Sequence, residues 1–300
     1  MQNIQVKHKK MSLETKIFVV VMLLLPLSNF LIFWLGVNAN SLLLAFRTDY
    51  KDGTHEWGFY QFELFFNDLA TGTDWLRAIK NTMIFFCASL FIILPFSIVL
   101  CYFIFKKISG YKFFRFVFYL PCILSPMVLA YLFRYIVEQL GPIDLLLKQL
   151  GMQPINFLGD EKYAIWTTVF YNVFFSLGGN MILLSGAMTH VNESVIEAGQ
   201  LDGVGMVREI VQLVVPLIWP TLTSLIIFTF VGMFSASGPI LILKGEGTQT
   251  IAYKIYMEVY NGSGNYNRVS AVGWVCTVIA TPIVLIIRHF LNKTVEAVES

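Results

Sequence analysis

Asn172, Ser176, Gly179 and Asn180 fall at i, i+4, i+7 and i+8, one face of a helix, inside the apolar run Tyr163–Ala187. Thr221, Ser224, Gly232 and Ser235 fall at i, i+3, i+11 and i+14 in the apolar run Leu217–Leu243, again roughly one face. Hydroxyls and amides at membrane depth turn away from lipid. Hydrogen bonding is the chemistry these residues can do. They either join neighbouring helices, a common use of Ser, Thr, Gly and Asn, or they wall a pore for a hydroxylated solute. Asn172 and Asn180 favour the pore, because a primary amide brings more polarity than helix packing requires. Tyr171 and Trp166 can stack on a sugar ring or sit in the aromatic belts at the membrane surface.

Bond-making chemistry is not provided for. No Asp, Glu, Lys, Arg or His lies in the central part of any apolar run. Proton-coupled transporters, voltage sensors and intramembrane proteases all place ionisable groups there, at about 2.5–3.5 kcal/mol each on insertion scales. Charged rings for ion conduction are missing too. The pathway that remains is one for a neutral solute, driven from outside the chain, with sodium coupling through unwound carbonyls as an alternative. Cys87, Cys101, Cys122 and Cys276 lie in apolar runs, in no CxxC pair or Cys/His cluster. They read as small packing residues, with neither zinc nor a disulfide expected. No cofactor is implied.

The elements that must hold these residues are membrane helices. Apolar residues make up 56% of the chain and charged ones 13%, against roughly 45–50% and about 25% in soluble domains. A surface so poor in charge belongs in lipid. The net charge of +2 indicates no nucleic-acid partner. Crossing about 30 Å of hydrocarbon takes about 20 apolar residues. Ile17–Val37, Thr82–Phe105, Phe116–Leu132, Tyr163–Ala187, Leu217–Leu243 and Ser270–Ile287 qualify. None alternates apolar and polar positions like a barrel strand. The expected fold class is therefore an all-α integral membrane protein of six spans. Residues 1–16 form a tail and residues 17–300 a single six-span domain. The first apolar run exceeds the roughly 7–15 residues of a cleavable signal, so it reads as an uncleaved span. Lys7, Lys9, Lys10 and Lys16, then Lys106, Lys107, Lys112 and Arg115, crowd short segments on one side. That places both termini in the cytoplasm. Pro26, Pro95, Pro121, Pro126, Pro220 and Pro282 sit in or near the spans, where each can kink a helix.

Between the fourth and fifth spans lies Thr189–Pro220. Asn192 or Ser194 can cap a short helix, and Ser194 with Glu197 has capping-box spacing. Gly199, Gly203 and Gly205 interrupt it, with Gly203 suited to positive φ at a turn. A second helix starts at Met206 and leads through Pro216 to the fifth span. Such a protruding element is a docking knob or an interfacial linker.

Glu197-Ala198-Gly199, three residues, Gly203, nine residues, Leu213, one residue, Val215-Pro216 resembles the EAA loop of ABC importer permeases. That pattern reads Glu-Ala-Ala, x3, Gly, x9, Ile, x, Leu-Pro. Gly199 in place of the second Ala is expected to loosen the docking helix. Leu201-Asp202-Gly203 is similar to the hydrophobic-Asp-Gly run of the carbohydrate branch. Ala78–Thr82 resembles the entry to the second span, Gly110 with Phe113–Arg115 and Leu120-Pro121 the third, and Gly245–Thr250 with Ile255-Tyr256 the outer segment before the last. In order along the chain, these resemble the maltose, lactose and glycerol-phosphate group.

The resemblance implies a cytoplasmic coupling helix that docks two separate ABC ATPase subunits. Glu197 and Asp202 would face the ATPase cleft, Ala198 would allow close approach and Gly203 would make the turn, with Leu213 and Pro216 completing the motif. It also implies a second, homologous permease subunit and an extracytoplasmic solute-binding protein. The chain carries no GxxxxGK[ST] loop, so it is expected to be a transport subunit and not the ATPase. Alternatives are the same architecture importing a polyamine, phosphate ester or peptide, and a stand-alone secondary transporter.

Overall fold

The structure is a computed structural model. It describes residues 12–50, 52–72, 74–234, 238–243, 245, 247–260 and 265–299. Among them the elements are helices except for one β-hairpin. Four helices are long and apolar enough to cross a membrane: α1 (Leu13–Ala45), α3 (Asp74–Phe105), α7 (Glu161–Met188) and, in α13 (Tyr266–Glu299), Tyr266–Lys293. Two bent pairs have the same character: α4 (Tyr111–Ile123) with α5 (Pro126–Val137) and α6 (Pro142–Gln149), and α9 (Met206–Leu217) with α10 (Trp219–Gly232). The shorter helices are α2 (Tyr60–Ala70), α8 (Glu193–Leu201), α11 (Gly238–Leu243) and α12 (Ile251–Tyr260).

Contacts divide the chain into two units. One holds the residues up to Leu64 together with Tyr266–Trp274. Here α1 leads into the hairpin, where β1 (Arg47–Asp49) pairs antiparallel with β2 (His55–Trp57), Thr48 opposite Glu56. This hairpin corrects the all-helical expectation. Asp52 and Gly53 make its turn, with Gly53 at φ +84°, a conformation cheap for glycine. The Asp52 carboxylate accepts from the Thr54 backbone N–H at 2.9 Å. The Asp49 carboxylate takes Arg47 Nε at 2.9 Å and Asn267 Nδ2 at 3.0 Å. Those partners, Asn267 first, hold the Asp49 carboxyl below its ordinary range.

The other unit runs from Phe65 to Asn265 and resumes at Val275. It is built around α7. The C-terminal half of α3 packs on α7, as does α4. Gly178 makes the second approach close: a Cβ there would lie 2.4 Å from the Phe118 carbonyl oxygen and 2.5 Å from Cys122 Sγ. Cys101, Met181, Leu184, Met188, Val214 and Leu222 form one buried cluster. A second, around Ala130, Phe133, Tyr171 and Leu243, joins α5, α7 and α11. Arg134 Nη1 donates to the Ile242 carbonyl at 3.1 Å and so satisfies an otherwise unpaired C-terminal group of α11.

Two expected spans are not single helices. Phe116–Leu132 breaks after Ile123, and the chain bends by 106° before continuing from Pro126. Ser125 precedes a proline, which disfavours helical backbone, and it is extended at ψ 130°. Leu217–Leu243 is likewise divided. An 83° bend at Ile218 precedes Trp219-Pro220, α10 ends at Gly232, and α11 is a separate helix. Wide, π-type turns occupy Ser89–Ile93 and Glu209–Val214. Each stands just before a proline, Pro95 or Pro216, whose ring would meet the carbonyl four residues back in a regular helix. The four cysteines are free thiols.

Candidate functional site

A cavity of about 350 Å³ opens between α3, α7 and α10, within the roughly 300–1,000 Å³ of small-molecule sites. α7 supplies Tyr171, Asn172, Ser176, Gly179 and Asn180. The helix is unbroken from Glu161 to Met188, so its 3.6-residue period keeps these positions on one side. Ser176 Oγ donates to Asn172 Oδ1 at 3.1 Å, which leaves the Asn172 amide hydrogens for the cavity. Asn180 has no hydrogen-bond partner among the described residues. α3 adds Thr82, Phe85, Phe86 and Ser89, and α10 adds Phe228, Thr229 and Gly232. Thr82, Thr168 and Thr229 donate to carbonyls of their own helices at 2.8, 2.8 and 2.9 Å. Their oxygens then offer only lone pairs, beside apolar methyls. Among the described residues, no charged side chain lines the cavity.

Of the residues expected along the pathway, Asn172, Ser176, Asn180, Gly232 and Tyr171 meet at this cavity. Tyr171 presents no free ring face there. It is 3% exposed, lies against Phe133 and Phe175 at 5.2 and 4.7 Å, and its hydroxyl donates to the Pro126 carbonyl at 3.3 Å. Ser224 stands apart, exposed and donating to Pro220 O at 3.1 Å. At about 100° per residue it sits some 140° around the helix from Thr229, which lines the cavity. Ser235 lies outside the described residues. Thr82, Phe85, Phe86, Ser89 and Thr229 are among the lining residues that the sequence reading missed. Their spacing on α3, at i, i+3, i+4 and i+7, was available as a signal.

The segment leading into α12 contributes Thr250 to the lining. Asn81 Nδ2 donates to the Gly247 and Gln249 carbonyls at 2.6 and 3.0 Å. Thr82 Oγ1 accepts from Ile251 N–H at 3.0 Å and so caps α12. The Asn81-Thr82 pair therefore pins this segment to α3.

A second candidate site is α8. Asn192 is its N-cap, accepting from Ser194 N–H at 3.1 Å; the Ser194–Glu197 capping box does not form the cap. Ile196 is buried in the same cluster as Met188 and Ile210. Glu197, Ala198, Asp202 and Gly203 are exposed together, and Leu201 is 90% exposed. Gly203 turns the chain at φ +75°. Gly199 is buried, and a Cβ there would meet Leu213 Cδ1 at 2.6 Å. The glycine is thus a close contact that fastens α8 to α9. Pro216 is half-buried in α9.

Sequence reasoning also missed Glu209. It is 3% exposed and pairs with Lys106 Nζ at 2.5 Å across about a hundred residues of sequence.

A cavity between apolar helices whose described lining carries no charge, in a chain with an exposed short helix, suits a multi-pass membrane transport subunit. The chain belongs to the family of binding-protein-dependent transport system inner membrane components, whose model matches residues 93–296. A member of this family is a membrane component of a transport system and not itself an enzyme. The probable ABC transporter permease protein YurN of Bacillus subtilis is 25% identical over 170 residues, 56% of this chain and 58% of that protein. The sn-glycerol-3-phosphate transport system permease protein UgpA of Pectobacterium atrosepticum is 32% identical over 149 residues, 48% of this chain and 50% of that protein. The chain thus aligns with little more than half the length of these relatives. In structure it is similar to a chain of a bacterial alginate ABC transporter, solved in complex with alginate pentasaccharide-bound periplasmic protein. The TM-score is 0.80 at 24% identity, covering 94% of this chain and 96% of that one.

Proposed function

We propose that the chain is the transmembrane permease subunit of an ATP-driven ABC importer for a neutral, polyhydroxylated solute, a sugar or oligosaccharide. The uncharged cavity carries this reading. Two asparagine amides and a set of Ser and Thr oxygens can exchange hydrogen bonds with hydroxyls, and Phe85, Phe86 and Phe228 offer apolar surface to ring carbons. A phosphate ester or an acidic sugar would enter without a counter-charge, at the desolvation cost of an unpaired ion. α8 would be the cytoplasmic coupling helix. Its exposed Glu197, Ala198, Leu201, Asp202 and Gly203 support docking to an ABC ATPase. The assembly would contain two ATPase subunits, a second homologous permease and an extracytoplasmic solute-binding protein. Six spans, two of them broken, would leave both termini in the cytoplasm. Closure of the ATPases would move α8 and expose the cavity alternately to the two sides.

Two measurements test this. Co-purification with the ATPase subunits is expected to be lost on Glu197→Lys with Gly203→Pro. Transport of the sugar retained by the binding protein is expected to fall about tenfold or more on Asn172→Ala with Asn180→Ala, since each lost hydrogen bond is worth roughly 0.5–1.5 kcal/mol, with docking intact. Uptake by the chain alone, without an ATPase, would refute the reading.

A further inference from the structure

We infer that Glu209 is the positioning residue that links the docking helix to the cavity wall. The inference rests on the docking reading of α8. The Glu209 carboxylate is the hub of a cluster at the junction of three segments. Lys106, the last residue capping α3, places Nζ at 2.5 Å from Oε1. Gln200, on α8, donates Nε2 to Oε2 at 3.3 Å. Tyr102, one turn before Lys106, has the Lys106 ammonium over its ring at 5.6 Å.

Among the described ion pairs, this is the one that joins distant segments with both partners less than a quarter exposed, at 21% and 4%. The others have an open partner. A buried ion pair adds little to stability over well-packed apolar side chains, and its best-attested use is to fix register. Here the register fixed is that of α8 and α9 against α3. Two further features make α8 and α9 move together: Ile196 and Ile210 are buried in one cluster, and Leu213 fills the space beside Gly199.

α3 carries the motion to the cavity. Its N-terminal half holds Thr82, Phe86 and Ser89 on the cavity wall, and its C-terminal half ends at Tyr102 and Lys106. The wide turn Ser89–Ile93, followed by Pro95, separates the two. Such turns are places where a helix can pivot. Displacement of α8 therefore pulls the Lys106 end of α3 through Glu209, and the pivot converts that pull into movement at Ser89.

The test uses the whole transporter, purified with its ATPase subunits and reconstituted in lipid. Ser89→Cys is labelled with bimane in a background with the four native cysteines replaced. The probe is Mg-ATP with vanadate. The parent complex is expected to show an ATP-dependent bimane change. Glu209→Gln and, separately, Lys106→Met are expected to assemble and hydrolyse ATP while the bimane change falls about threefold or more, the range of residues that carry coupling. The exchanged pair Lys106→Glu with Glu209→Lys is expected to restore most of it. Undiminished bimane changes in both single variants overturn the inference and leave the importer reading standing. So does a loss that tracks an equal loss of ATPase activity and thermal stability, because that is a purely structural role. A parent complex that binds no ATPase overturns the importer reading, and this inference with it.

Discussion

Gly178 and Gly179 are neighbours in sequence and opposites in surroundings, so alanine at each isolates one effect. At Gly178 a Cβ would lie 2.4 Å from the Phe118 carbonyl oxygen and 2.5 Å from Cys122 Sγ. Cβ atoms essentially never come within 3.0 Å of other heavy atoms, so α4 and α7 must separate by more than half an ångström. Overpacking of this kind costs about 1–3 kcal/mol, against about 1 kcal/mol regained from helix propensity. At Gly179 nothing lies within 4 Å, so the propensity gain stands unopposed and the methyl projects toward the cavity. Gly178→Ala should therefore be less stable than Gly179→Ala by about 1–3 kcal/mol, or several degrees in Tm. Thermal unfolding of the two purified variants, followed by intrinsic fluorescence, reads the difference. Equal midpoints, or a higher one for Gly178→Ala, would refute the close approach of α4 and α7.

Two further outcomes are expected. Asn81→Leu removes both bonds to the Gly247 and Gln249 carbonyls and should speed amide exchange in Gly247–Ile251 by about tenfold, given about 1–1.5 kcal/mol for the lost pairing; hydrogen exchange of that segment is the check, and unchanged protection contradicts the pinning. In the hairpin, Asp49 is held below its ordinary range by Asn267 and Arg47. A carboxyl depressed in the folded state contributes stability above its unfolded pKa, near 3.9, and loses it as pH falls through the folded value. An NMR titration of the Asp49 carboxyl should thus find a midpoint below about 3.9, and Asn267→Ala should raise it; an unmoved midpoint would remove the assigned cause.

What could be read from sequence follows from where periodicity survives. α7 has no proline and no break, so the face of Asn172, Ser176, Gly179 and Asn180 projects directly onto the cavity. On α10 the same logic included Ser224, too far around the helix, and passed over Thr229 on the correct side. Two breaks were signalled but not read, by Ser125-Pro126 and by Trp219-Pro220, because runs of apolar residues continue across both. The Asp52-Gly53 turn likewise announces the hairpin. Around α8, local spacing pointed to a short exposed helix and the turn at Gly203, and the family resemblance to Glu197, Ala198 and Asp202. It could not give the Leu213 contact that makes Gly199 a fit, nor Glu209, whose partner lies in another helix.

The length of α1 has a consequence for where the hairpin stands. Between Lys16 and Arg47 there is no charge, and the helix occupies Leu13–Ala45, 33 residues, or about 50 Å at 1.5 Å each. Hydrocarbon about 30 Å thick is filled by roughly 26 residues even at a tilt of about 40°, the upper end of the usual range. Glu14 and Lys16 hold the first turn outside at one end, so about one turn or more must stand clear of the acyl chains at the other. Asn38, Asn40 and Ser41 mark that end, and Asn38 already satisfies its amide on the Trp34 carbonyl at 2.7 Å. The hairpin is carried on a short helical stalk, lifted off the acyl chains, where its charged residues keep their water.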